Sequence, residues 1–264
     1  MKHRLEKLPI LRFTRKSRSS IRGVVAREFP LTIVLNDHEL VTLLCSPMDL
    51  RYVAVGFLLS EGLLESRDEI RKIAVDDRRG VVRVDTEVAE GSAQGIPLKR
   101  IITSSGGREA FPRGVARAPS QKVSSQIRVP TDEIFALVDE FQHYSRLYLA
   151  THGVHSAALC DGKGISVFSE DIGRHNAIDK VFGKCLLKNI PTDDRILITS
   201  GRISSDSVSK AARMGIPIVI SVAVPTNLAV RIANDLGITL VGSVTGETMN
   251  VYTNTWRIVR GEEQ

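Results

Sequence analysis

Cysteine is scarce: the 264-residue chain has three, Cys45, Cys160 and Cys185, odd in number and far apart. That usage excludes a disulfide framework and a cysteine-based zinc site, and it fits a reducing compartment. Each reads as a small buried apolar residue. Long apolar runs are missing as well. No stretch could span a bilayer, and the N-terminus carries no signal-peptide core, so the expectation is a cytoplasmic protein without a membrane partner. Familiar chemical fingerprints are absent too. There is no Walker A loop, no Gly-x-Gly-x-x-Gly, no zinc-deaminase His-x-Glu with Pro-Cys-x-x-Cys, and no recognisable Ser-His-Asp arrangement. His152 and His155 lack an evident third ligand, so no metal site, and no catalytic residue, is assigned.

What is present is enough apolar side chain for a core, 42% of residues, and an uneven charge. The formal net charge is +6, but residues 1–22 alone carry +7, leaving −1 for everything after Arg22. The pI of about 9.4 therefore belongs to an N-terminal tail and not to a nucleic-acid-binding body. That tail reads as a solvated or partner-touching arm.

Two structured parts follow. In residues 23–86, Val24–Leu35 and Glu39–Leu44 are β-rich and meet at Asn36-Asp37-His38. Ser46-Pro47 resembles an N-cap and first helical position, and Gly62 ends that helix. Ile70–Asp76 and Val81–Asp85 form a second hairpin. Periodicity fades over residues 87–129, where Ser105-Gly106-Gly107 reads as a flexible turn. Residues 130–254 alternate strands and helices, with helices from Thr131, Arg174, Ser204 and Pro225, which predicts a largely parallel α/β sheet. Residues 255–264 are expected as a C-terminal tail.

In such a sheet, ligands bind where strand ends hand over to helix starts. Three handovers are polar: 170–176, 200–205 and 224–227. Helix starts offer unpaired N–H groups to anions, and Arg174 and Arg202 add guanidinium donors for phosphate. Asp171, His175 and Asn176 crowd the first of these entrances, with Asp179 and Lys180 a turn further on.

Together these residues resemble the family of formate dehydrogenase accessory proteins called FdhD. The resemblance runs from about Val24 to Thr253 through Val55-Gly56-Phe57-Leu58-Leu59-Ser60-Glu61-Gly62, Gly153-Val154-His155, Glu170–Lys180, Ser200-Gly201-Arg202, Leu240-Val241-Gly242 and Val251-Tyr252-Thr253. It implies a β-rich N-terminal part and a deaminase-like, three-layer α/β/α C-terminal domain without zinc. It also implies transfer of sulfur from a cysteine desulfurase to molybdopterin guanine dinucleotide before insertion into the formate dehydrogenase apoenzyme. GDP is then the expected ligand mimic, and a homodimer is compatible. The cofactor residues so implied are Arg174, His175, Asn176, Ser200, Gly201, Arg202, Thr226, Ser243, Val244, Thr245, Gly246, Glu247 and Thr248. Two departures stand out. Gly106 and Glu109 occupy the family's Cys-x-x-Cys positions after Thr103-Ser104-Ser105, and neither can carry a persulfide. Glu247 and Thr248 stand where small or basic residues are expected.

Overall fold

The computed structural model describes residues 4–87, 100–102 and 122–261. The chain opens with β1 (Leu5–Phe13) and β2 (Arg18–Ala26), an antiparallel hairpin turned at Thr14–Ser17. The basic stretch expected as a tail is thus an ordered arm. Charge count misses it because strand pairing uses backbone groups and leaves charged side chains in solvent. Its base is tied to the body by Arg4, whose Nη1 lies 3.5 Å from Glu170 Oε1.

β3 (Phe29–Leu35) and β4 (His38–Cys45) follow, so the run from Val24 breaks at Arg27-Glu28. Their turn holds Asn36 and Asp37 at φ 46° and 65°, the left-handed pair that a tight hairpin needs. Next come α1 (Leu50–Ser60), β5 (Ile70–Asp76), β6 (Val81–Thr86) and β7 (Arg100–Ile102). These strands form one sheet in the order β5-β6-β3-β4-β7, and β7 lies inside the stretch expected to be loop. The expected cap at Ser46 is not one. The helix starts at Leu50, and Ser46 donates its N–H to Asp171 Oδ2 (3.0 Å) and accepts at Oγ from the Ile172 N–H (3.1 Å).

The second part contains β8 (Val129–Pro130), α2 (Thr131–Tyr144), α3 (Arg146–Thr151), β9 (His155–Asp161), β10 (Gly164–Asp171), α4 (Arg174–Leu187) and β11 (Ile196–Thr199). It continues through α5 (Ser205–Arg213), β12 (Ile218–Ser221), α6 (Asn227–Leu236), β13 (Thr239–Gly242), β14 (Asn250–Val251) and β15 (Ile258–Val259). The main sheet has the order β10-β9-β11-β12-β13-β14. It is mixed and not largely parallel. β9 is antiparallel to both its neighbours and β14 to β13, while β11, β12 and β13 pair in parallel. The β9–β10 hairpin folds back so that β9 sits between β10 and β11, yet β10, β11, β12 and β13 still point the same way. Residues 255–259 are no tail: β15 pairs with β8, and the buried Arg257 donates to Gly237 O (2.7 Å) and Ser125 O (2.9 Å).

Side-chain alternation divides the sheet's faces. Ala158, Cys160, Ile196, Ile198, Ile218 and Ile220 meet α2, while Leu159, Leu197, Val219 and Leu240 meet α4, α5 and α6. Together these give an α/β/α sandwich. The five-stranded sheet packs on α1, and α1 packs on α4. That crossing is close because it is built on glycine. A Cβ at Gly56 would sit 1.7 Å from Asp179 O, and one at Gly183 2.0 Å from Tyr52 O.

Candidate functional site

Since β10, β11, β12 and β13 share a direction, the loops after them emerge at one edge. The β10–α4 turn brings Arg174 there. The next turn runs against it, because a Cβ on Gly201 would lie 2.9 Å from Arg174 Cβ and Cδ. Ser200 is held by the Ser156 N–H at its Oγ (3.0 Å), with His155 Nδ1 at 3.2 Å. The third turn is locked to the second: Ile203 N–H donates to Val224 O (3.3 Å), and Thr226 N–H to Ile203 O (3.0 Å). Ser204 and Thr226 cap their helices through the Ser207 and Ala229 N–H groups. The loop after β13 joins the same edge through Ser243 N–H to Ala223 O (3.0 Å).

Arginine electrostatics mark the edge. Burial, and Arg202 nearby, pull the Arg174 guanidinium below its usual range, partly opposed by Asp206. Arg174 Nε is buried without a hydrogen-bond partner, a donor directed at nothing the described residues supply. Arg202 is exposed. His175 Nδ1 lies 2.9 Å from Asp206 Oδ2 across the entrances of α4 and α5. Burial, then Arg174 and His175, lower the His155 pKa, with Asp171 opposing, so its imidazole stays neutral over a wider pH range.

The remaining expected site residues divide. Asn176 is committed to the fold: its Nδ2 donates to Leu44 O (2.9 Å) and Asp171 Oδ1 (3.1 Å). Val244 is 2% exposed and belongs to the apolar core on the α2 face. Thr245, Gly246, Glu247 and Thr248 form an exposed turn closed by Thr245 N–H to Thr248 O (2.8 Å). Asp179 and Lys180 do not support the surface at all. Lys180 pairs with Asp171 at 2.6 Å, and Lys210 with Asp179, all four side chains fully or almost fully buried. Asp171 also receives the N–H groups of Ser46 and Gly173, and Asp179 the Ser60 hydroxyl. Most of Glu170–Lys180 is therefore a polar clamp joining the two parts of the chain.

His155, which the sequence singled out only beside His152 and within the resemblance, stands at this edge, a place sequence reasoning did not give it. Its position follows from β9 lying beside β11, and strand order has no local signal. The residues 103–109, where the thiol pair of the resemblance would stand, lie outside the described residues. The three cysteines are described and buried, and burial foremost pushes each thiol up to about 12. Among the described residues no cluster of three or more His, Cys, Asp or Glu side chains could hold a metal, and no helix is long and apolar enough to cross a membrane.

The comparisons with known proteins agree with one another. The sequence model of the FdhD/NarQ family matches residues 26–259. A Bacillus pumilus protein named sulfur carrier protein FdhD is 41% identical over 235 residues, 89% of this chain and 90% of that one. A Bacillus subtilis protein of the same name is 39% identical over 252 residues, 94% and 95% of the two chains. A crystal structure from Desulfotalea psychrophila, assigned there as a formate dehydrogenase accessory protein, superposes with a TM-score of 0.78 at 29% identity, covering 97% of this chain and 99% of that one. With the family model spanning nearly the whole chain and relatives at this identity, the chain belongs to the FdhD/NarQ family.

Proposed function

We propose that this protein is a formate dehydrogenase accessory protein that binds molybdopterin guanine dinucleotide at the edge formed by the β10–α4, β11–α5, β12–α6 and β13–β14 loops. Delivery of that cofactor to the apoenzyme is the step it serves. The observation that carries the reading is Arg174: a desolvated guanidinium with an unpartnered Nε, beside Arg202 and the starts of α4, α5 and α6. A pyrophosphate linkage supplies the acceptors this edge lacks, and arginine grips such oxygens two at a time. Ser200, Gly201, Thr226 and the turn Ser243–Thr248 complete the rim, while Asn176 and Val244 act from behind it.

Relatives named sulfur carrier protein FdhD support sulfur carriage for the family, whereas the three thiols of this chain are all buried. Burial pushes each of these thiols up to about 12, far above neutral pH, and the thiolate is the nucleophile. A cysteine desulfurase therefore finds no ready acceptor among Cys45, Cys160 and Cys185. Cofactor holding without sulfur transfer by these thiols is the alternative that their burial favours.

Calorimetric titration with GDP tests it. Wild-type protein is expected to bind, and Arg174→Ala and Arg202→Ala each to weaken binding by about tenfold or more, the worth of a charge-assisted hydrogen bond. Absence of GDP binding by the wild type, or full affinity in both variants, overturns the assignment.

A further inference from the structure

The N-terminal arm takes no part in the anion edge, and its backbone accounting points elsewhere. Hydrogen bonds at both ends of the hairpin, Thr14 N–H to Ser17 O (2.8 Å) and Arg27 N–H to Arg4 O (3.0 Å), set the phase of the β1–β2 ladder. Antiparallel pairs alternate between bonded and non-bonded. With the observed register, Lys7↔Val24, Pro9↔Arg22, Leu11↔Ser20 and Phe13↔Arg18 are then the non-bonded pairs, whose N–H and C=O groups face outward. On β1 that outer edge is interrupted by Pro9, which has no N–H to offer. On β2 it is continuous. Arg18, Ser20 and Arg22 are exposed, and among the described residues no strand lies beside them.

The side chains flanking this edge differ by face. Arg18, Ser20 and Arg22 share one face. Ile21 and Val25 share the other with Leu8 and Ile10, and Ile10 lies across Gly23, where a Cβ would meet its Cδ1 at 2.5 Å. Leu8, Ile10 and Val25 remain 38%, 39% and 39% exposed. α3 packs on β2 and Arg4 meets Glu170 at the base of the ribbon, but two strands alone are marginal in water, and a third strand would both pair the open edge and cover those aliphatic side chains.

Charge selects the occupant. Residues 4–27 contain eight basic side chains and one acid, Glu6. Antiparallel pairing of β2 with the β2 of a second copy in the register centred on Ser20 would set Arg18 and Arg22 against one another, and every register brings two strongly basic arms together, which like charge disfavours. Phe13 is the arm's only aromatic residue, so bases would find no series of rings to stack on. We infer that the free edge of β2 receives an extended segment of a partner polypeptide that alternates acidic and aliphatic residues. Its acids stand beside Arg18 and Arg22, and its aliphatic side chains beside Ile21 and Val25.

The experiment uses the full chain and a fluorescein-labelled peptide alternating glutamate and valine, followed by anisotropy. Binding is expected, weakened by salt, and absent for the lysine–valine counterpart. Ser20→Pro removes an outward N–H and no bond within the hairpin, so it should lower affinity by about tenfold with an unchanged melting temperature. Arg18→Glu with Arg22→Glu should do the same by charge alone. No binding of the glutamate–valine peptide, or full affinity in Ser20→Pro, overturns the inference. So does preferential binding of a labelled single-stranded oligonucleotide, or a sedimenting dimer that Ser20→Pro dissolves.

Discussion

At the scale of single residues, the densest polar block in the chain is mostly internal. Asp171 and Lys180 are each 0% exposed and 2.6 Å apart, and the Asp171 carboxylate also takes the Ser46, Gly173 and Asn176 donors. A carboxylate so surrounded has its acceptor oxygens met by its neighbours, and removing the paired ammonium leaves a buried polar group uncompensated. Lys180→Met is expected to cost about 3–5 kcal/mol of stability, read from urea unfolding. A variant of wild-type stability that loses only GDP affinity would instead place Lys180 in the ligand site. From sequence alone, a motif rich in Asp, Arg, His, Asn and Lys reads as a site because those types are costly to bury. The partners that make burial tolerable here, Ser46, Ser60 and Lys210, are far away in the chain. Arg174 is the member whose Nε is buried without a hydrogen-bond partner, and the proposed cofactor site rests on it.

At the scale of elements, legibility followed the range of the signal. The helices α4, α5 and α6 declare themselves locally, with Ser204 and Thr226 as caps and Gly237 at φ 72° as a stop. The Asn36-Asp37 turn is local too. The arm and the insertion of β9 between β10 and β11 rest on pairing between distant or solvent-exposed segments, which hydrophobic periodicity does not record. Gly56 and Gly183 are an intermediate case: they read as ordinary helical glycines until α1 and α4 are seen to touch. An added methyl at Gly56 would lie 2.5 Å from the Asp179 carbonyl carbon, inside any real contact. Because backbone cannot yield as a flexible side chain does, Gly56→Ala should force α1 off α4 and cost about 1–3 kcal/mol or more. Thermal unfolding checks this, and Gly215→Ala is a weaker control for packing, since nothing lies within 4 Å of its Cβ position and only its positive φ is strained.

At the scale of the whole molecule, the thiols and the loop edge proposed to hold the cofactor are separate matters. The edge was foreseeable because any helices crossing over between strands of one direction start at one end of a sheet. The burial of Cys45, Cys160 and Cys185 was foreseeable from composition, and each is at most 1% exposed. Sulfur carriage needs an accessible thiolate, and these thiols are buried, with burial pushing each up to about 12. Incubation of the native protein with a cysteine desulfurase and cysteine should therefore add no sulfur mass to the intact chain. The same chain carrying Gly106→Cys and Glu109→Cys, which restores the thiol pair where its relatives' resemblance places it, should gain a persulfide. Both proteins should bind GDP alike, because the edge built on Arg174 and Arg202 contains no cysteine. A sulfur adduct on the unmodified native chain would break the separation, and peptide mapping would then name the buried thiol that opens to react.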